Sequence, residues 1–158
     1  MDDDPSIERR LLPGDPGMLA WRTFLMAHAT VIRRLEADLE ERESLALTDF
    51  DVLVQLHLAG GTLRMRDLAD RVVLSRSGMT RRVDRLETAG YVSRAACETD
   101  RRGSFAHLTD LGRERLLRAL PVHVQGIEEH FLERLDAAEL ASIRTTLRKI
   151  LPADQPAG

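Results

Sequence analysis

The sequence predicts a mainly α-helical fold carrying one small β-hairpin. Apolar residues recur at three- and four-residue steps over most of the chain. That pattern gives way to short strand-like runs only near Tyr91 and Phe105. Aromatic residues are 4% of 158 while charged residues reach 31%, a balance that suits helices with long solvated faces. The length allows one ordinary domain, or a small head with a helical extension.

Residues 1–17 read as a flexible tail. Asp2, Asp3 and Asp4 repel one another, and Pro5, Pro13 and Pro16 with Gly14 and Gly17 interrupt regular structure. Trp21, Phe24, Leu25, His28, Val31, Ile32, Leu35 and Leu39 then predict a helix over 19–41. At about 1.5 Å per residue it spans roughly 37 Å, more than a small domain needs.

A second helix is expected from Thr48, where Thr48-Asp49-Phe50-Asp51 has the look of a capping box, to the Gly60-Gly61 stop. A third covers about 65–72, and a fourth opens at Ser75 and closes at Ala89-Gly90. Residues 91–95 and 105–108 read as strands joined by the charged turn Glu98-Thr99-Asp100-Arg101-Arg102-Gly103. Thr109 is a good N-cap for a helix with apolar positions from Leu111 to Leu135, which Pro121 should kink. A last helix is expected over 137–151.

The fourth helix sorts its faces. With Met79 at zero and about 100° per residue, Val83 falls near 40° and Leu86 near −20°. Thr80, Asp84, Ser77 and Arg81 fall near 100°, 140°, 160° and 200°, so the opposite face is polar, with small hydroxyls beside an arginine. Such a face can enter a major groove. Arginine reaches guanine bidentately, and Ser or Thr serves bases or phosphates. Asp84 is expected to hold Arg81 or a nearby arginine. Short helices, a tight turn and a charged hairpin in this order make a winged helix-turn-helix.

Charge distribution agrees. Residues 62–108 hold ten arginines against six acids, a net of +4, which leaves −7 for the rest of a chain whose total is −3. A basic segment in an acidic chain is the footprint of a double-stranded DNA reader. The expected contacts are Ser75, Arg76, Ser77, Thr80, Arg81 and Arg82 on the helix and Asp100, Arg101 and Arg102 in the wing. Asp100 could pin Arg102 for entry into the minor groove.

Leu74-Ser75-Arg76-Ser77-Gly78-Met79-Thr80-Arg81-Arg82-Val83-Asp84-Arg85-Leu86-Glu87 resembles the recognition helix of the bacterial MarR family. Asp100-Arg101-Arg102-Gly103 with Leu108-Thr109-Asp110-Leu111-Gly112 resembles that family's wing and its exit helix, and the likeness runs from about Trp21 to Leu151. Val73 departs from a common glycine in the turn, and Arg64 from a common hydroxyl cap. The resemblance implies a DNA-binding homodimer joined by its terminal helices and released by a small aromatic or anionic effector.

This divides the chain into a reading head over 47–108 and a dimerisation region over 18–46 and 109–151. The apolar stripes of the terminal helices have no other partner. A two-fold dimer would hold its recognition helices about 34–36 Å apart, over a pseudo-palindromic operator. Repression by occluding RNA polymerase is expected. The rival reading is a winged helix used for protein–protein contact. Trp21 and His28, seven apart on the first helix, lie near the family's ligand crevice and with His57 are the candidate effector residues.

Other classes are disfavoured. No glycine-rich phosphate loop, His-Glu-x-x-His or Gly-x-Ser-x-Gly is present, so neither enzyme activity nor a cofactor is expected. Cys97 is the single cysteine, which excludes an internal disulfide. His123 and His130 share a face, but no compact metal-ligand spacing exists and no metal is expected. No run of 18 apolar residues or signal-like opening appears, so a cytoplasmic protein without membrane contact is expected.

Overall fold

The computed structural model describes residues 14–72, 76–96 and 104–152, with backbone alone at 76, 77 and 96. In order they form α1 (Pro16–Glu43), α2 (Leu47–Leu58), β1 (Thr62–Arg64), α3 (Met65–Arg71), α4 (Arg76–Thr88), β2 (Val92–Ala96), β3 (Ser104–Leu108), α5 (Asp110–His130), a 3-10 turn (Leu132–Arg134) and α6 (Ala137–Arg148). The fold is mainly helical with a small antiparallel sheet, as the periodicity predicts.

Several boundaries move. α1 starts at Pro16, inside the segment read as a tail. Proline lacks only an N–H that a first turn leaves unused, and the Asp15 carboxylate accepts from the Met18 N–H at 2.9 Å. α2 starts at Leu47 with Ala46 as its N-cap and no side-chain cap bond, so the capping box expected at Thr48 does not form. Burial of Leu45 and Leu47 draws the chain into the helix earlier than its cap chemistry suggests. α5 runs through Pro121 and stops at His130, short of Leu135. Asp136 and Glu139 close a reciprocal capping box that starts α6, with both bonds at 2.8 Å.

The sheet has the order β1-β3-β2. β1 is absent from the sequence reading: three residues are too few to show alternation, and pairing with β3 creates the strand. Thr62 faces His107, Leu63 faces Ala106 and Arg64 faces Phe105. Arg64 occupies the N-cap of α3 without a cap bond, and its guanidinium lies 5.4 Å over the Phe105 ring.

The chain divides into two compact units. One comprises residues 36–126, and the other the described residues up to Leu35 and from Ile127 onward. The first has a dense core in which Leu39, Val52, Leu53, Leu56, Leu68, Met79, Val83 and Ala106 are fully buried. Its α1–α2 junction turns at Ser44, whose φ is +48°. Arg115, itself buried, grips the Glu43 carboxylate at 2.6 Å and also donates to the Glu43 carbonyl, satisfying an orphan acceptor at the helix end. Arg118 adds a bond to the same carboxylate at 3.0 Å. The Arg115 hydrogen bond, assisted by Arg118, holds the Glu43 carboxyl below its ordinary value.

His123 of α5 packs its ring 4.5 Å from that of Phe50, and burial holds its imidazole below the ordinary 6.5. The unfolded chain therefore takes up this proton first. Stability contributed by neutral His123 is lost as the pH falls below about 6.5, and the loss ends once the folded imidazole also protonates. The melting temperature of the parent should fall more steeply between pH 7.5 and 5.5 than that of His123→Gln. Parallel profiles would refute this.

The second unit is sparsely packed. No residue of α6 is buried. Leu19, Trp21, Phe24, Leu25 and Met26 of α1 are exposed. A half-open apolar groove of about 610 Å³ runs between Phe24, His28 and Ile32 of α1, Ile127 at the end of α5, and Ile143 and Leu147 of α6.

Candidate nucleic-acid interface

α4 realises the two faces read from its sequence. Met79, Val83 and Leu86 are buried, while Thr80, Arg81 and Asp84 are exposed. The helix ends at Thr88, and Gly90 with φ +77° lets the chain reverse into β2. The Arg76 and Ser77 backbone forms the first turn of α4. Ser75 and the wing residues Asp100, Arg101 and Arg102 lie outside the described residues, as do Val73 and Cys97.

The arginines of α4 divide their work. Arg82 and Arg85 both donate to Asp49 Oδ1 of α2, at 3.3 and 3.0 Å. Asp49 is 7% exposed, so the pair anchors the helix to the α2 N-terminus in a partly desolvated setting. The Arg82 side chain is only 24% exposed. Arg81 stays exposed on the outward face. Sequence reasoning missed Asp49, because its place in an apparent capping pattern suggested local bonding.

Asp84 pairs with Arg94 of β2, Oδ1 to Nη2 at 2.6 Å. The expectation that Asp84 holds a nearby arginine points to this kind of contact, but its partner comes from the hairpin. The hairpin's exit is equally fixed. Thr109 Oγ1 accepts from the Gly112 N–H at 3.0 Å as an N-cap and donates to the Gly90 carbonyl at 2.7 Å. The Tyr91 carbonyl accepts from the Thr109 N–H at 3.1 Å.

The candidate effector residues fall in different units. Trp21 and His28 flank Phe24, with ring centroids 6.1 and 6.4 Å from it, and His28 lines the apolar groove. His57 belongs to the 36–126 unit, where its Nδ1 is 3.2 Å from Arg113 Nη1. Among the described residues no cluster of His, Cys, Asp or Glu is arranged to hold a metal. No described helix is long and apolar enough to cross a membrane.

Residues 44–103 match the sequence profile of the MarR family. The chain is 31% identical over 114 residues to the HTH-type transcriptional regulator YkoM of Bacillus subtilis, covering 72% of this chain and 73% of that one. AbsC, a MarR family transcriptional regulator from Streptomyces coelicolor, superposes with a TM-score of 0.80 at 35% identity, over 88% of this chain and 94% of that one. Sco3205 from the same organism, a MarR family regulator solved in complex with DNA, has a TM-score of 0.80 at 31% identity, over 94% and 96% of the two chains.

Proposed function

The chain belongs to the MarR family of transcriptional regulators, and from that premise we propose that it is a homodimeric repressor of a pseudo-palindromic operator, released by a small aromatic or anionic effector. The observation that carries the reading is α4: an apolar stripe locked into the core behind an outward face of Thr80 and Arg81. Thr80 and Arg81, with Ser75, Arg76 and Ser77, are assigned to the major groove, and Arg101 and Arg102, steadied by Asp100, to the minor groove. Arg82 holds the helix on Asp49 while its neighbours reach the duplex. Sco3205 binds DNA in its solved structure, which supports the same use of this fold here.

Dimerisation is supported by the apolar side chains left exposed on α1 and by an α6 with no fully buried residue within one chain. The effector is assigned to the neighbourhood of Trp21 and His28, where an aromatic ring could stack beside Phe24.

Fluorescence anisotropy at several salt concentrations tests the DNA contacts. Arg81→Ala should lose about 1–3 kcal/mol of discrimination at one base pair. Arg102→Ala should weaken binding to every duplex and lower the salt slope by about one. Unchanged affinity in both variants would overturn the assignment.

A further inference from the structure

The sheet places a charged side chain at a position whose neighbours are apolar. Arg94 of β2 pairs with Ala106 of β3, which pairs with Leu63 of β1. Val92, Ala106 and Leu63 are buried, whereas Ser93 and Ala95 are exposed. Alternation along β2 therefore turns Arg94 inward, beneath the recognition helix. Its guanidinium Nη2 lies 2.6 Å from Asp84 Oδ1 and donates to the Thr80 carbonyl at 3.0 Å. Its Nε lies 3.7 Å from Glu87 Oε2, and its backbone N–H donates to Glu87 Oε1 at 3.2 Å. Thr80, Asp84 and Glu87 are spaced four and three apart, so one hairpin residue grips a single edge of α4 along two turns. That edge borders the outward face carrying Arg81.

We infer that Arg94 is a positioning residue for sequence discrimination. It sets the rotation of α4 about its own axis and ties the helix to the hairpin, so the two meet a duplex as one preorganised surface. The inference rests on the reading of α4 as the DNA-reading helix. An exposed ion pair would contribute little. Here the arginine side chain is only 27% exposed, its Nη2 serves both the Asp84 carboxylate and the Thr80 carbonyl, and its Nε faces Glu87, a reach along α4 that a compact ammonium reproduces only in part. Recognition tolerates only small displacements of its contacting groups, so slack in this strap should reduce discrimination more than it reduces general attraction to DNA.

The test uses the full chain and two probes: a duplex that the parent enriches from a randomised pool, and a scrambled duplex of equal length. Affinities are measured over a salt series, with thermal unfolding alongside. Arg94→Gln should lower the ratio of the two affinities about tenfold, the scale of such couplings, and leave the salt slope unchanged because no phosphate contact is lost. Arg94→Lys should recover part of the ratio. Asp84→Asn should lower it in the same direction, and the double variant should be no worse than Arg94→Gln alone. If Arg94→Gln does not fold, Asp84→Asn and Arg94→Lys decide the matter by the same ratio. A slope reduced by about one would make Arg94 a phosphate contact and overturn the inference. So would equal losses on both duplexes that follow the melting temperature, or additive effects of the two substitutions. A parent that enriches no duplex overturns the reading of α4 and this inference with it. A parent that discriminates beside an Arg94→Gln protein that discriminates equally overturns this inference alone.

Discussion

Gly112→Ala is expected to cost more than about 4 kcal/mol and to abolish the cooperative unfolding of the 36–126 unit near room temperature. A β-carbon at this position would overlap the Tyr91 carbonyl oxygen and lie 2.9 Å from Leu108 Cδ1. The oxygen belongs to backbone, and it accepts the Thr109 N–H bond at 3.1 Å. The Leu108 methyl can rotate aside, but the Tyr91 carbonyl cannot retreat without opening the link between α4, the hairpin and α5. In a free helix the same change would gain roughly 1 kcal/mol from alanine's propensity, so the two effects have opposite signs. Urea titration followed by circular dichroism decides between them. A midpoint equal to or above the parent's would show that the close approach of α5 to Tyr91 has no energetic weight.

The second large effect concerns assembly. Leu25→Asp combined with Met26→Asp should halve the mass seen by light scattering and reduce affinity for a pseudo-palindromic duplex by roughly a hundredfold to ten-thousandfold. Leu25 and Met26 are 42% and 68% exposed in the single chain, so helicity should survive the change. The loss arises because each head must then find its half-site alone, without the effective concentration that a joined partner supplies. A half-site duplex should be bound as by the parent's isolated head. Retention of a two-chain mass with unchanged affinity would remove α1 from the proposed interface.

The two effects differ in how visible they are beforehand. The exposed apolar run of α1 can be seen in the sequence as a stripe too long for its domain. Gly112 cannot. Within Leu108-Thr109-Asp110-Leu111-Gly112 it looks like an unremarkable residue in a first turn, and its importance comes from Tyr91, which arrives by way of the hairpin.

Helix α4 shows the same division residue by residue. Exposure of Thr80 and Arg81 and burial of Met79, Val83 and Leu86 follow from spacing alone, since an α-helix sorts residues three and four apart onto one face. Partner choice does not follow. Arg82 and Arg85 turn to Asp49, 33 and 36 residues earlier, and Asp84 turns to Arg94. Spacing puts Arg82 nearer the buried stripe than Arg81, about 60° against about 160° from Met79, but it does not name Asp49 as the partner; which side of α4 meets α2 decides that.

Local periodicity was thus enough for the helical class, for the order of helices and hairpin, and for the two faces of α4, because those depend on neighbours a few residues away. Packing set the start of α2 at Leu47, created β1 against β3, placed Gly112 on Tyr91 and turned Arg94 inward onto α4. Each of these depends on segments distant in the chain coming into contact. A buried charge or a close backbone approach has its energetic weight only once that contact exists.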